Sequence, residues 1–514
     1  MASQAGIDLL RGRPTPAIGT TEAKLQQRKL DALRRGIHRI ADAAVLPFSV
    51  HVIGLGGMGS RAVEQILRDA PDDLLANEGA RLTALTVDIG APSSDPLPTL
   101  AARFPEGRAH VETLVLPVPP PTALVESLRR YRDFLQLESP LTRWDPAYQP
   151  WVAEDAVKPG TGQSVSRAVA KAIYGQAYYD GARPAAAALR RFAASLDAAP
   201  GDAVVCLVFG LGDAVGSGMA MDVARHLSNA ILGRRVLVTG IGIAPCEGDG
   251  PERTGAHLFP LLNEIDCMGD EDKNRGVVLS CGDLYKNPFT AGFLLVPQQP
   301  VWAATGDLAA TQERVRREIA SLLTLRNGAN LWEMLRLLNW VAAPSTQHSA
   351  ACTPWGSRWI HVLGYADTDG PMAAGPDLAE RLGLLPGYAP EFIEMRMADP
   401  PQAPGVDGVA AALAQALSPE VPPVVVGGGA PGSVQFVLPR VSKTDLALFQ
   451  PARDAYEAAD EDERRLGHSL LLERGIVLSE PSTQLDGMAG ASLWGGNGWV
   501  AVPLAALRGE ERAA

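Results

Sequence analysis

Two glycine-rich segments of the chain carry the residues best suited to hold a phosphate group. Residues 54–60 read GLGGMGS and residues 210–218 read GLGDAVGSG, and each segment follows a largely apolar run. Glycine lets the backbone approach a phosphate closely, and the N-terminus of a following helix offers free N–H groups and a positive dipole end. Each segment therefore predicts a phosphate-binding turn between a buried strand and a helix, and the pair predicts a nucleotide site.

The first segment also fits the dinucleotide fingerprint, with glycines spaced as Gly54-x-Gly-x-x-Gly59. Asp88 ends the next predicted strand, where an acid could bind a ribose hydroxyl. A tight turn that holds no ligand is the alternative for both segments. A second phosphate turn is hard to place in a simple dinucleotide enzyme, but it suits a mononucleotide whose phosphates are held by loops from several strands.

The composition is that of an ordinary globular protein. The 514 residues are 46% hydrophobic and 20% charged, and the net charge of −12 argues against a general nucleic-acid binder. The five cysteines form no CxxC pair, so we expect neither a metal-ligand set nor a disulfide framework. Because the sequence has no uncharged apolar run of about 18 residues, we expect a cytoplasmic protein without a membrane span.

The hydrophobic pattern predicts alternating helices and strands, and helix-bearing connections imply a parallel sheet. The strands predicted in the first part of the chain are 50–53, 82–87, 109–118, 203–209, 235–239 and 276–279, the last followed by a loop through residue 300. The predicted helices are 24–44, 61–67, 164–178, 183–196, 219–232 and an amphipathic helix at 307–325. Beyond residue 344, short strands, including 359–363 and 499–502, and helices, including 460–474, predict a second α/β domain.

In their order and spacing these segments resemble the tubulin/FtsZ superfamily of GTPases, particularly its divergent bacterial tubulin-like branch. Proteins of the FtsZ type have a glycine run after the first strand, an acid after the second strand and a GGGTGSG signature before a later helix. The matching segments are residues 54–60, 86–88 and 212–218, with a glycine-containing loop at 158–163 and a Pro, Glu-Gly and Arg segment at 245–253. The resemblance covers residues 48–341.

The resemblance implies a site for GTP or GDP. Backbone amides of the two turns would hold the phosphates, the Ser217 hydroxyl would bind a phosphate oxygen, and Glu247 and Arg253 would lie near the ribose and base. A solvated surface loop is the alternative for the last two. The residues implied as nucleotide-binding are Gly54, Gly56, Gly57, Met58, Gly59, Asp88, Thr161, Gly162, Gly210, Gly212, Asp213, Gly216, Ser217, Gly218, Glu247 and Arg253.

The resemblance also implies how the chain is divided. We expect an α/β fold with a parallel-sheet nucleotide-binding domain of tubulin/FtsZ type, a central helix and a smaller mixed α/β C-terminal domain. The expected parts are an N-terminal tail and helix at 1–47, the nucleotide-binding domain at 48–306, the central connecting helix at 307–328 and the C-terminal domain at 329–514.

Several residues depart from the family pattern. In the signature, Asp213, Ala214 and Val215 replace Gly, Gly and Thr. An aspartate beside a phosphate is repulsive unless a cation such as Mg²⁺ bridges the two. The asparagine that reads guanine in the family has no clear match, since Ser-Cys-Gly stands at residues 280–282. These departures leave the base specificity open.

The loop after the central helix departs furthest. In polymerising members it carries acids that activate water in the neighbouring subunit, whereas here Asn330 is retained but Trp332 and Leu335 occupy the acidic positions. Glu333 is the nearby acid and the candidate catalytic residue, with an exposed glutamate favoured by a helix N-terminus as its alternative. We therefore expect nucleotide binding with slow or absent hydrolysis.

The sequence thus predicts a tubulin/FtsZ-like GTP-binding protein that acts as an assembly-forming or regulatory switch. Head-to-tail self-association, as in open filaments, is the expected partner interaction, with no nucleic acid and no membrane. One alternative is an enzyme with a Rossmann-type turn that uses NAD(P) or ATP, either an oxidoreductase or an adenylyltransferase. Another is a tubulin-like scaffold that binds no nucleotide. The bound ligand would discriminate among them.

Overall fold

The computed structural model describes residues 49–69, 81–91, 97–138, 149–156, 165–199, 203–234, 236–269, 274, 277–278, 281–323, 360–366, 448–473, 490–495 and 498–502. Its first six strands are β1 (Ser49–Leu55), β2 (Arg81–Ile89), β3 (Ala109–Leu116), β4 (Ala203–Gly210), β5 (Val238–Ala244) and β6 (Gly292–Pro297). They are all parallel and lie in the order β3-β2-β1-β4-β5-β6. The order therefore reverses between β1 and β4.

Helices follow most of these strands along the chain. They are α1 (Gly56–Asp69), α2 (Leu97–Ala101), α3 (Pro121–Glu138), α4 (Arg167–Tyr179), α5 (Pro184–Ala198), α6 (Ala214–Arg225), α7 (Pro251–Thr254), α8 (Leu258–Gly269), α9 (Gln299–Thr305) and α10 (Leu308–Leu322). A π-helical segment, His226–Ile231, continues α6. Helix α10, where the central helix was expected, packs along α1.

The central strands are buried along their whole length, as expected for a parallel sheet covered on both faces. Every residue of β1, β5 and β6 is buried. This burial explains why the sequence reads as continuous apolar runs such as Val205–Phe209 rather than as an alternating pattern. The core therefore lies between the sheet and its helices and fixes where each strand ends.

Both glycine segments are shorter as loops than the sequence suggested. Helix α1 was predicted to begin at residue 61 but begins at Gly56, directly after β1. Helix α6 was predicted to begin at residue 219 but begins at Ala214, four positions after the end of β4. Glycine has a poor helix propensity, but tertiary packing overrides it at both places. Most of each segment therefore forms the first turn of a helix.

Two strand predictions after β4 were inaccurate. The strand predicted at 276–279 is wrong, because its described residues Val277 and Val278 are helical, and β6 lies instead in a stretch predicted as loop. Strand β5 lies later than the predicted 235–239, because Gly240 and Gly242 weaken the strand signal. A Cβ at either glycine would lie 2.5 Å from the ring of Phe293, so the glycines make room for that ring.

The C-terminal part of the chain returns to the same sheet. Strands β7 (Ile360–Ala366), β8 (Gly490–Gly495) and β9 (Gly498–Val502) extend it beyond β6, with β9 antiparallel to β8. Apart from these strands and residues 448–473, the expected C-terminal domain lies outside the described residues, and so do the N-terminal tail and helix. The division into domains therefore stays a prediction.

Three further helices pack on the first part of the fold. They are α11 (Phe449–Ala458), α12 (Glu461–Leu466) and α13 (Leu470–Glu473). The last two lie where a single helix at 460–474 was predicted, and α11 was not predicted. Helices α11 and α13 contact α8, and α12 contacts α4. The buried Arg167 guanidinium pairs with Glu264 and donates to the carbonyl oxygens of Gly467 and His468. Within the described part of the chain, no helix has the length and apolar character needed to span a bilayer.

Candidate functional site

The two glycine segments meet at the point where the strand order reverses. In open α/β sheets, ligands bind outside the carboxyl ends of the strands at such a switch point. Strands β1 and β4 are paired in register, with Gly54 opposite Val208 and Leu55 opposite Phe209. The segments that follow them are therefore brought side by side, although about 150 residues separate them in the sequence. The geometry thus unites the two predicted phosphate turns in one place.

Gly56 is the residue at which the two turns touch. Its φ of 65° lies in the left-handed region that favours glycine. A side chain there would collide with Oδ2 of Asp213, and its Cβ would lie 2.6 Å from the backbone nitrogen of Gly216. A Cβ at Gly216 would in turn lie 2.7 Å from the carbonyl oxygen of Leu55. Both glycines are therefore required by the close approach of the two backbones.

The other glycines of the turns also sit at close approaches. A side chain at Gly54 would meet the carbonyl oxygen of Gly59, and one at Gly59 would meet that of Val208. A Cβ at Gly210 would lie 2.5 Å from Sδ of Met58. Gly57 and Met58 are half-buried in the first turn of α1. Close packing of strand, turn and helix accounts for the spacing of these glycines whether or not a ligand is bound.

Asp213 occupies the N-terminus of α6, between the two turns. It is the N-cap residue, and its Oδ1 accepts a hydrogen bond from the Val215 N–H at 3.3 Å. Its Oδ2 is buried and has no hydrogen-bond partner of ordinary geometry among the described residues. Burial raises the pKa of this carboxyl and Asp88 adds to the rise, whereas Arg253 and the backbone N–H groups of Met58 and Val215 oppose it. An incompletely satisfied carboxylate therefore lies where the turns converge.

Asp88 is buried near the end of β2, and its charge acts on Asp213. Its Oδ1 accepts a hydrogen bond from the Ile89 N–H at 2.9 Å. Asp88 is therefore close enough to Asp213 for the two charges to interact. Two carboxylates, Asp88 and Asp213, thus share this region with the guanidinium of Arg253.

The first turn of α6 holds the remaining signature residues. Ser217 is buried, and its backbone N–H donates to the carbonyl oxygen of Asp213 at 2.8 Å. A Cβ at Gly218 would lie 2.6 Å from the carbonyl oxygen of Arg167, so this glycine lets α6 approach α4. The signature residues therefore pack on two sides, with Gly216 against the first turn and Gly218 against α4.

The loop after β5 brings a cation to the second turn. A Cβ at Gly212 would lie 2.6 Å from the carbonyl oxygen of Arg253 and 2.9 Å from its Cβ, so the two residues are in contact. The Arg253 side chain pairs with Asp249 and is 38% exposed, so part of its guanidinium is accessible to a ligand from solvent. Glu247 is exposed and lies earlier in this loop, with its backbone N–H donating to Oε1 of Gln299. Of the two predicted ribose and base residues, Arg253 is thus the one placed against a glycine turn.

Asp249 organises this loop and was missed by the sequence reading. Its Oδ2 accepts from the Cys246 N–H at 3.0 Å and from Nε2 of Gln298 at 2.8 Å, and its Oδ1 lies 3.4 Å from Nη1 of Arg253. The ring of Trp302 covers Gly248, where a Cβ would lie 2.6 Å away. In the sequence, Asp249 is simply one acid within the Pro, Glu-Gly and Arg segment. Its partners Cys246 and Gln298 can be identified only in the folded chain, where β5 and α9 are adjacent.

Some predicted residues lie outside the described part of the chain. These are Thr161 and Gly162 in the loop before α4, and Glu333 in the loop after the central helix. Their roles stay predictions. Among the residues that the structure does describe, no three His, Cys, Asp or Glu side chains group as a metal site. The described cysteines, Cys206, Cys246, Cys267 and Cys281, are buried and form no disulfide with one another.

No protein-family model and no curated protein sequence matches the chain. Solved structures similar to it include CetZ from Methanosaeta thermophila strain DSM 6194, at 12% identity, 56% of this chain, 54% of that chain and a TM-score of 0.29. The GDP-bound monomer of CetZ1 from Haloferax volcanii matches at 15% identity, 53% of this chain, 58% of that chain and a TM-score of 0.27. TubZ of Clostridium botulinum phage c-st matches at 11% identity, 54% of this chain, 57% of that chain and a TM-score of 0.24.

These are structures of the tubulin/FtsZ superfamily. It is the superfamily that the sequence motifs resemble. The matches span little more than half of each solved chain, with TM-scores below 0.5.

Proposed function

We propose that the chain binds a guanine nucleotide, GTP or GDP, with its phosphates between the two glycine turns. The observation that carries the proposal is the contact of Gly56 with Asp213 and Gly216 at the switch point of the sheet. Two phosphate turns that meet in this way suit a chain of phosphates on one mononucleotide. The proposed role is an assembly-forming or regulatory switch, as the resemblance to the tubulin/FtsZ superfamily implies.

Each group of residues in the site would contact a different part of the phosphate chain or its charge. Backbone N–H groups in the first turns of α1 and α6 would donate to phosphate oxygens, supported by the positive ends of both helix dipoles. The Ser217 hydroxyl would add a side-chain donor. Arg253 would neutralise phosphate charge from the solvent side, because it lies against Gly212 and its side chain is partly exposed. Asp249 would hold this arginine in place.

Magnesium fits the donor set of the site. Mg²⁺ prefers oxygen ligands and is usually bound by one or two carboxylates together with substrate phosphates. Asp213 offers a buried oxygen without a partner among the described residues, and Asp88 couples to it. These two residues would hold the cation, which would neutralise the charge between them and the phosphates.

We further propose that hydrolysis is slow or absent and that any self-association is head-to-tail. Both proposals follow from the resemblance of the sequence to the tubulin/FtsZ superfamily. The loop that completes the neighbouring active site in polymerising family members lacks both acids here, and Glu333 is the nearby acid. A heterologous head-to-tail contact gives open filaments when its rotation does not close.

The strand order favours one second candidate, a dinucleotide-dependent enzyme. The order β3-β2-β1-β4-β5-β6 is also that of dinucleotide-binding folds, and the first turn has the matching glycine spacing. In that candidate, Asp88 would bind a ribose hydroxyl. Its coupling to Asp213 instead supports a location beside the phosphates. The second turn and the loop at 245–253 also have no role in a simple dinucleotide enzyme.

The nucleotide carried by the purified protein would test the proposal. The protein is denatured, the released small molecules are separated, and nucleotide-free protein is titrated with GTP, GDP, ATP and NAD by calorimetry. We expect GDP or GTP to be released and the guanine nucleotides to bind more tightly than ATP or NAD. Release of NAD(P), or preference for it, would overturn the proposal in favour of the enzyme. The absence of binding to any of the four at millimolar concentration would leave a scaffold.

A further inference from the structure

The carboxylate of Asp213 lies where an anion would be expected to bind. The N-terminus of α6 and the turn that begins at Gly56 both direct backbone N–H groups toward this point. Here Oδ1 accepts from the Val215 N–H, and Oδ2 faces Gly56, whose added side chain it would block. A protein carboxylate thus occupies part of the space that the turns provide for a phosphate.

A capping role accounts for only one of the two oxygens. An N-cap aspartate needs a single oxygen to accept from the first turn, and Oδ1 does so. Oδ2 is buried without a hydrogen-bond partner among the described residues, and an ion or ligand is one of the groups that can satisfy such an atom. The second oxygen is therefore available to a ligand at the site.

The charges around this oxygen disfavour a bare phosphate. Asp88 and Asp213 are two acidic groups, and Arg253 is a cation that acts on Asp213. A nucleotide would add further negative charge within a few ångströms, where repulsion is strong in a partly desolvated site. A divalent cation held by these carboxylates would turn this repulsion into attraction.

We propose that Asp213 is the specificity-determining residue of the site and makes it select the divalent-cation complex of a nucleotide over the free nucleotide. This inference rests on the proposed nucleotide-binding function. The aspartate that replaces a glycine of the signature would then have a function of its own. A glycine at this position would bind the phosphate through its backbone and would not discriminate between the free nucleotide and its cation complex.

The test compares Asp213→Asn with a matched control, Asp307→Asn. Asp307 also caps a helix, with Oδ1 accepting from the Ala310 N–H at 2.7 Å, but it is exposed and caps α10 instead of α6. Nucleotide-free wild type and both variants, with folding checked by circular dichroism, are titrated with GDP and GTP in Mg²⁺ and in EDTA. Asp213→Gly serves as a second variant that restores the glycine of the signature.

We expect the wild type and Asp307→Asn to bind GTP at least about tenfold more tightly with Mg²⁺ than in EDTA. In Asp213→Asn and Asp213→Gly this ratio should fall by about fivefold or more, mainly because binding in EDTA improves. Binding by all proteins with an unchanged Mg²⁺ ratio would overturn this inference and leave the nucleotide-binding function standing. A failure of every protein to bind either nucleotide in either condition would overturn the proposed function itself.

Discussion

The two ends of α6 hold their carboxylates in opposite ways. Near the C-terminal end, Asp222 is buried and both oxygens are paired, with Nζ of Lys171 and Nε of Arg225 each at 2.7 Å. At the N-terminal end, Asp213 has one capping hydrogen bond, and its Oδ2 has no partner among the described residues. One helix therefore carries a fully satisfied acid and a partly satisfied acid.

The pKa values of the two acids move in opposite directions. Burial alone would raise the pKa of Asp222, but Lys171 and Arg225 outweigh burial and hold it below its usual range. For Asp213, burial dominates and the pKa is raised, with Arg253 opposing the rise only in part. The difference teaches that charged partners within the fold stabilise the ionised form of Asp222, whereas Asp213 lacks an equally strong set of partners at the end where a ligand is proposed to bind.

The paired end of α6 belongs to a larger buried network. Nη2 of Arg225 donates to the Tyr179 hydroxyl at 2.9 Å, and that hydroxyl lies 2.7 Å from Nε2 of His226. Nδ1 of His226 lies 2.9 Å from the Tyr174 hydroxyl. This network ties α6 to α4, so it fixes the helix whose N-terminus forms the proposed site.

The strongest test of the comparison is a matched pair of substitutions, Asp222→Asn and Asp213→Asn. Each removes one negative charge and no heavy atom. Asp222→Asn leaves Lys171 and Arg225 buried without their counter-charge, so it should lower the free energy of unfolding by about 3–5 kcal/mol. Asp213→Asn keeps a good N-cap residue and should change it by less than about 1 kcal/mol. Urea unfolding of the nucleotide-free proteins measures both, and equal losses would show that the two ends do not differ.

The next largest effect that we expect is a fall in the free energy of unfolding as the pH is lowered. Burial holds the pKa of His226 and His468 well below the ordinary value and lowers that of His51 to about 4. The native state thus keeps these histidines neutral while the unfolded chain takes up protons below its pKa of about 6.5, so stability falls as the pH falls. We expect a loss of about 1 kcal/mol per histidine between about pH 6.5 and pH 5.5.

His51 offers the control for this pH effect. Both of its ring nitrogens are buried without a hydrogen-bond partner among the described residues, so His51→Leu should remove its share and flatten the pH profile. His110→Gln, at a side chain that is 51% exposed, should leave the profile unchanged. Unfolding free energies that stay constant over this range in the wild type would contradict the neutral, buried histidines.

The sequence predicted those parts of the fold in which the hydrophobic pattern and the turn residues indicate the same element. Strands β1 and β4 were placed because continuous apolar runs end in glycine, and the pairing of the two turns followed from their resemblance to the superfamily. Strand β5 was displaced because Gly240 and Gly242 have low strand propensity. They are nevertheless favourable there, because the ring of Phe293 fills the space above them. Such a contact joins residues about 50 positions apart and has no local signature.

The site was predictable in its residue types but not in its organisation. The repulsive character of Asp213 follows from its charge, whereas its unpaired Oδ2 depends on how closely Gly56 approaches α6. Asp249 gave no signal of its own, because its partners Cys246 and Gln298 come together only when β5 and α9 are packed. The sequence shows which acids a loop contains, but it does not show which groups donate hydrogen bonds to them.

The central claim, that nucleotide phosphates bind between the two turns, is tested most directly by the affinity of Arg253→Ala for GTP in Mg²⁺. Arg191→Ala is the control, because Arg191 is 55% exposed and pairs with Glu112 away from the turns. Removing a charge-assisted contact to phosphate should weaken binding by at least about tenfold in Arg253→Ala. The control should bind as the wild type does, and both variants should unfold at similar urea concentrations. Equal GTP affinity in Arg253→Ala and the wild type would contradict the proposed site.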